Sequence, residues 1–243
     1  MEHFFVEPSA IKGDVAAITG EDAGHIARVL RMRQGDEVHL SDGQGGEYRA
    51  RLLSVDKLLV KAVIAEKYAK SAEPPNRITL YQALPKAGKM ETIIQKCVEL
   101  GVNAVAPVVT ERCVARPDGD FEKKRVRCQR VAYEAAKQCG RGAIPQVLPL
   151  QTLETVDYAS HGLLLHAYEE ERTTSLKQAL RGLEGGAPER IALFIGPEGG
   201  FTREEAALLA LKGAKAVSLG PRILRTETAG MAMLAMLVYE LEG

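Results

Sequence analysis

The chain has 243 residues, 46% of them apolar and 5% aromatic with no tryptophan, and its 32 Lys and Arg equal its 32 Asp and Glu. That composition excludes a disordered, collagenous or disulfide-scaffold polypeptide and fits one or two globular domains. Zero net charge excludes a uniformly basic polyanion binder, but residues 112–150 hold nine basic against four acidic side chains, so the balance is global and not local.

The first residues, MEHFFVEPSAIKGD, carry acids where a secretory signal needs bases. Short apolar runs then alternate with turn residues, and Asp42-Gly43 and Gly45-Gly46 punctuate a hairpin between β-rich stretches. One helical interlude, EDAGHIARVLRMR, puts Ile26, Val29 and Leu30 on one stripe and leaves Arg28, Arg31 and Arg33 largely off it. These features predict a small, mostly β barrel or sandwich over residues 1–70. KYAKSAEPPN, with two prolines, reads as a linker.

From residue 77 to 243 the rhythm changes to strand and helix in alternation. ITLYQAL, AVAPVV, GLLLHA, IALFIG and AVSLG read as buried strands separated by crossover helices, which predicts an α/β domain with a mostly parallel sheet. In the first helix Met90, Ile93, Ile94 and Cys97 share a face, and Gly101 is placed to end it. Cys97 therefore reads as core. The cysteines at 97, 113, 128 and 139 are too widely spaced for a metal knuckle or a compact disulfide framework, so they read as reduced thiols of a cytoplasmic protein that holds no metal.

The basic block comprises Arg112, Arg116, Lys123, Lys124, Arg125, Arg127, Arg130, Lys137 and Arg141. It reads either as a solvated helix face or as a grip on a polyanion. Of the five histidines, His166 at the end of GLLLHA is the one that falls at the sheet edge where ligands bind.

Two octets 24 residues apart, Ile195-Gly196-Pro197-Glu198-Gly199-Gly200-Phe201-Thr202 and Leu219-Gly220-Pro221-Arg222-Ile223-Leu224-Arg225-Thr226, each follow an apolar strand and precede a helix. Thr202 with Glu205 makes a capping box, and Thr226 is placed to cap the last helix. Both loops should emerge at the carboxyl ends of parallel strands. Glycines 196, 199 and 200 let backbone approach a ligand, whereas Pro197 and Pro221 remove donors that a phosphate would want. Such loops suit a neutral or cationic ligand with an adenine ring better than a phosphate. The alternative is two ordinary strand–helix turns of similar composition.

The final helix, AGMAMLAMLVY at 229–239, is apolar on every side and too short to span a bilayer. Its burial inside the domain or between two copies follows, and homodimerisation is one expectation.

IGPEGGFTREE and LGPRILRTETA resemble the signature blocks of the RsmE family, the 16S ribosomal RNA uridine-N3 methyltransferases of the SPOUT superfamily. FFV at 4–6, HIARVLRMRQGDEV, LPKAGKMETIIQKCVELGV, ER at 111–112 and EAAKQCGR extend the likeness in collinear order over nearly the whole chain. The resemblance implies a PUA-like β domain followed by a SPOUT (alpha/beta-knot) domain with a carboxyl-terminal trefoil knot. It implies S-adenosyl-L-methionine as cofactor, 16S rRNA in the small ribosomal subunit as substrate, and a homodimer.

By matching position, the resemblance places cofactor contacts at Leu165, His166, Ile195, Gly196, Pro197, Gly199, Gly200, Leu219, Gly220, Ile223, Leu224 and Thr228. His3 departs from the arginine usual before the two phenylalanines, and Lys137 and Cys139 stand where acidic and serine residues are common. Deprotonating or stabilising the uridine imide calls for a carboxylate or a cation beside the cofactor. Glu198 is the candidate carboxylate; Arg225 and Arg222 are the candidate cations. RNA contact is expected from Arg28, Arg31 and Arg33 and from Arg112, Arg116 and Arg141. A ribose 2′-O-methyltransferase of the same superfamily and a non-catalytic RNA-binding assembly factor are the competing expectations.

Overall fold

A computed structural model of the chain describes residues 1–68, 73–86, 88–115, 121–183 and 185–242. It divides into two compact units, one made of Met1–Glu73 with Ala136–Ile144 and the other of Pro74–Ala135 with Pro145–Gly243. Arg116 lies outside the described residues.

The first unit holds a six-stranded sheet in the order β1-β4-β5-β6-β3-β2. The strands are β1 (His3–Phe5), β2 (Ile11–Lys12), β3 (Val15–Thr19), β4 (Glu37–Ser41), β5 (Glu47–Val55) and β6 (Leu59–Lys67). Apart from the parallel pair β1 and β4, neighbours run antiparallel. Alternate residues turn inward, so Val38, Leu40, Ala50, Leu52, Val60 and Ala62 form one core with Phe4 and Ile18. The expected hairpin joins β4 to β5, and the Asp42 carboxylate accepts the N–H groups of Gln44 and Gly46 at 2.9 and 2.8 Å.

The interlude after β3 is helical but not a regular α-helix. A short α1 (Gly20–Gly24) widens into a π-type turn over His25–Leu30 and stops at Arg31, whose φ of 52° is left-handed. Ile26 is buried and Leu30 packs on the core, but Val29 is 66% exposed. The wider winding carries Val29 off the stripe that a 3.6-residue period predicts. Arg28, Arg31 and Arg33 are exposed as expected.

Two cations of the basic block belong to this unit, and the structure corrects the reading of both. Arg141 is 3% exposed and its guanidinium is paired with the Glu73 carboxylate, Nε donating at 3.2 Å, so it is a buried structural cation rather than an RNA contact. Lys137 is bonded to the Asp22 carboxylate and sits 4.8 Å from the centre of the Phe4 ring. His3 is also buried, with Nδ1 against the Lys137 carbonyl at 3.0 Å and Nε2 against Ser41 Oγ at 2.7 Å.

The second unit holds a parallel sheet ordered β10-β8-β7-β12-β11-β13, with β9 also pairing β8. Its strands are β7 (Arg77–Ala83), β8 (Ala104–Val109), β9 (Gln146–Val147), β10 (Gln151–Thr152), β11 (Leu163–Ala167), β12 (Arg190–Ile195) and β13 (Lys215–Val217). The helices are α2 (Lys89–Glu99), α3 (Phe121–Cys139), α4 (Leu176–Arg181), α5 (Arg203–Leu211) and α6 (Thr226–Glu242). The four residues of α3 from Ala136 to Cys139 group with the first unit. The apolar face of α2 is buried as its spacing predicts, and Cys97 is fully enclosed, burial pushing its thiol up to about 12. Gly101, at φ 96°, ends that helix in a Schellman turn: its N–H reaches the Val98 carbonyl and that of Val102 reaches Cys97.

The sheet core centres on Phe194 of β12, stacked on Tyr81 at 4.7 Å and on Tyr158 at 5.7 Å between ring centres. With β12 fixed between β7 and β11, the loop that leaves its carboxyl end starts from a rigid base. Helix α6 packs against α2, α4 and β12.

Candidate cofactor and active site

The two octets do emerge together. The loop after β12 and the loop before α6 wall a cavity of about 750 Å³, a size suited to a small-molecule cofactor. Of the expected cofactor contacts, Ile195, Gly196, Pro197, Gly199, Gly200, Leu219, Gly220, Ile223 and Leu224 line it. So do all three candidate catalytic residues, Glu198, Arg222 and Arg225.

Three expected contacts do not reach the cavity wall. Leu165 and His166 are at most 1% exposed and lie within β11; Ala167, Tyr168 and Glu169, immediately beyond, form the wall instead. Burial pushes the His166 imidazole down to about 4, the Glu171 charge opposing weakly, so the ring is neutral and its edge faces Phe201 at 6.2 Å. Thr228 is exposed on the first turn of α6 and is not part of the lining. The registers that turn a residue into or out of a wall are set by the last turn of backbone, which collinear matching does not resolve.

The glycines of the first loop are closely surrounded. A Cβ on Gly196 would come within 3.0 Å of the Phe201 nitrogen. One on Gly199 would meet Arg112 Cβ at 3.2 Å, and one on Gly200, which has φ 66°, would run into the Glu169 carboxylate. Arg112 clamps the same loop: its guanidinium donates to the carbonyls of Gly199 at 2.9 Å and Phe201 at 3.3 Å. Those bonds give Arg112 a loop-holding place, and its side chain remains exposed. Thr202 and Glu205 form the predicted capping box of α5.

Thr226 does something the sequence did not announce. Its residue is the first of α6, and the Ala229 N–H bonds the Arg225 carbonyl, so Arg225 occupies the cap position. The Thr226 hydroxyl donates to the Gly196 carbonyl at 2.6 Å and accepts from Gln82 Nε2 at 2.9 Å. Gln82 is fully buried on β7. The signal for it was available: a lone amide in the apolar run ITLYQAL must find a buried partner.

Lys89, at the start of α2, ties the loops electrostatically. Its ammonium donates to Glu198 at 3.2 Å and Glu227 at 3.0 Å, and the Lys86 N–H also reaches Glu198 at 3.0 Å. Partial burial raises the Glu198 carboxyl, but the Lys86 and its own N–H groups and the Lys89 ammonium outweigh that and hold it below the ordinary carboxylate range. The bonds to Glu227 and Glu198 raise Lys89. Arg222 and Arg225 point from the second loop as exposed cations.

The arrangement is a glycine-walled pocket at the carboxyl edge of a parallel sheet, with backbone on two sides, one carboxylate paired with Lys89 and two exposed cations in the wall. Comparison with known proteins places it. Residues 72–238 match the family described as RNA methyltransferase domain, and residues 18–65 match the RNA methyltransferase PUA domain. The ribosomal RNA small subunit methyltransferase E of Bacillus subtilis is 34% identical over the whole of this chain and 98% of its own.

The chain belongs to the ribosomal RNA small subunit methyltransferase E family.

The relative from Synechocystis is 36% identical over 98% of this chain and 77% of its own length. A crystal structure of the Neisseria gonorrhoeae family member bound to S-adenosyl methionine superposes with a TM-score of 0.83, at 32% identity over 99% of this chain and 98% of that one. The second unit therefore has the SPOUT-type α/β fold of this family and follows a PUA domain. Among the described residues no helix is long and apolar enough to cross a membrane.

Proposed function

We propose that this chain transfers a methyl group from S-adenosyl-L-methionine to N3 of a uridine in the 16S rRNA of the small ribosomal subunit, acting in the cytoplasm as a homodimer. The observation that carries the reading is the pocket itself: a cavity bounded by two glycine-bearing loops, the first so close to backbone that a Cβ at Gly196 would crowd the Phe201 nitrogen, in a chain that matches its family from end to end. Its lining of backbone, Ile195, Leu219 and Leu224 fits an adenine ring, and its lack of a phosphate cradle fits a cofactor without phosphates.

The cofactor, when bound, supplies an electrophilic methyl group. The residues of the chain must hold the base against it and favour loss of the imide proton. The Lys86 N–H and the Lys89 ammonium both bond Glu198 Oε1 and hold the carboxyl below its ordinary range, which makes it a weak proton acceptor at neutral pH. The cationic route is favoured: Arg225, with Arg222 beside it, stabilises the negative charge that develops on the uracil oxygens while water takes the proton. His166, buried and neutral behind the wall, shapes the pocket without exchanging protons with the base.

The exposed Arg28, Arg31 and Arg33 of the PUA domain are the proposed RNA contacts. Phosphate contacts of this kind give salt-dependent binding with little sequence information, so the choice of nucleotide falls to RNA shape and to a base turned out into the pocket. Dimer formation is supported by the apolar surface that α6 and the second loop leave open: Met236 is 45%, Tyr239 81% and Ile223 84% exposed. Sedimentation of the chain above its 26.3 kDa mass checks this. The carboxyl-terminal trefoil knot that the resemblance implies is part of this proposal.

The deciding experiment is incubation of purified chain with small ribosomal subunits lacking the modification, followed by nucleoside mass spectrometry. N3-methyluridine is the expected product. A 2′-O-methyl nucleotide would assign the alternative chemistry, and no methylated nucleoside would refute the enzymatic reading.

A further inference from the structure

Two carboxylates line the cavity, and the structure treats them differently. Glu198 is bonded to the Lys86 N–H and the Lys89 ammonium. Glu169 lies over Gly200, close enough that a Cβ there would run into it, yet its carboxylate has no hydrogen-bond partner among the described residues. A carboxylate at a cavity wall with both oxygens open is an acceptor for a ligand that brings its own donors.

The place of Glu169 in the sheet narrows the donors. It stands two residues beyond β11 (Leu163–Ala167), and β11 pairs in parallel register with β12, the strand that carries the glycine loop. In the dinucleotide-binding parallel sheet a carboxylate distant in sequence from the glycine loop accepts the ribose hydroxyl; this chain lacks that fingerprint and its acid precedes the loop, but Glu169 likewise stands at the carboxyl end of a strand paired with the one that carries the loop. Two acceptor oxygens match two vicinal hydroxyl donors. The positive side of the cavity is separately supplied by Lys86, Lys89, Arg172, Arg222 and Arg225.

We propose that Glu169 is a positioning residue that accepts the 2′- and 3′-hydroxyls of the cofactor ribose and thereby selects a ribonucleoside over its deoxy form. The inference rests on the adenosyl cofactor reading above and adds a residue that the resemblance did not mark.

Calorimetry on the full chain tests it with three probes: 5′-methylthioadenosine, its 2′-deoxy form and S-adenosylhomocysteine. The unsubstituted chain should bind the ribo form about tenfold more tightly than the deoxy form, as expected for a hydrogen bond to a charged acceptor. Glu169→Ala should weaken the ribo form by about the same factor and abolish the preference, with Glu169→Gln, which keeps one acceptor oxygen, in between. Glu169 is exposed, so the thermal midpoint should not move. A preference that survives in Glu169→Ala overturns the proposal. So does a loss confined to S-adenosylhomocysteine, which would assign the carboxylate to the amino-acid ammonium. If the unsubstituted chain binds none of the three, the cofactor reading falls, and the ribose assignment with it.

Discussion

The hydroxyl of Thr226 donates to the carbonyl of Gly196 at 2.6 Å and so fastens the start of the last helix to the first turn of the glycine loop. The two residues stand 30 apart in sequence, and Gln82 completes the junction from β7. The pocket is therefore held by one buried polar node rather than by loop packing alone.

Removing that node should loosen both loops at once. Thr226→Val keeps the shape but takes the hydroxyl donor from the Gly196 carbonyl and leaves Gln82 Nε2 with the Ala83 carbonyl alone, which should cost about 1–3 kcal/mol in urea unfolding. Affinity for S-adenosylhomocysteine should fall with it. A variant as stable as the parent would mean that water replaces the hydroxyl without loss.

Gly200→Ala meets two obstacles of different origin. The φ of 66° costs a Cβ about 1–2 kcal/mol, and the Glu169 side chain occupies the space. In the Glu169→Ala background the steric part should disappear and the backbone part remain. Melting temperatures of the four proteins in this cycle separate the terms, and additive effects would show that Glu169 does not touch the loop.

Replacement of Arg225 by Ala should lower kcat by two orders of magnitude or more while leaving cofactor affinity within about threefold, the pattern expected when a residue acts on developing charge. Glu198→Gln should lower kcat much less, because its carboxylate is bound to Lys89 and Lys86. The reverse order of severity would return Glu198 to the role of base.

The buried His166 should impose an acid limit on stability. Its folded pKa of about 4 lies below the 6.5 of the unfolded chain, so the unfolded state binds the proton first. Stability is complete above pH 6.5 and falls as pH drops toward 4, by about 3 kcal/mol in total. His166→Asn, measured by denaturant unfolding between pH 7 and 4, should lose that slope.

The arginines should separate by assay. Arg141→Met breaks a buried pair with Glu73 and should cost about 3–5 kcal/mol in stability. Arg28→Ala should leave stability unchanged and reduce the slope of log affinity against log salt by about one in RNA binding. A salt slope unchanged in Arg28→Ala would remove that residue from the RNA surface.

The sequence carried the architecture because alternation of apolar runs and helices leaves few ways to bury them, and it carried the pocket because Gly-Pro loops after strands have few other uses. It carried charge poorly. Arg141 and Lys137 read as parts of one basic surface, but whether a cation is solvated depends on acids distant in sequence: Glu73 and Asp22. Val29 was misplaced because a helical period cannot foresee a wider turn. Glu169 went unnoticed because a run of three glutamates after a strand looks like solvated surface, and only its contact with Gly200 distinguishes it.

Arg112 and Glu169 approach neighbouring glycines, 199 and 200, and each fills the volume a side chain there would need. Changes at these four positions are then not independent steps in the history of the family. A larger residue at 200 is accommodated more readily once 169 has shrunk or turned aside, while the left-handed backbone at 200 still favours glycine, so replacements at the two positions are coupled by the space they share.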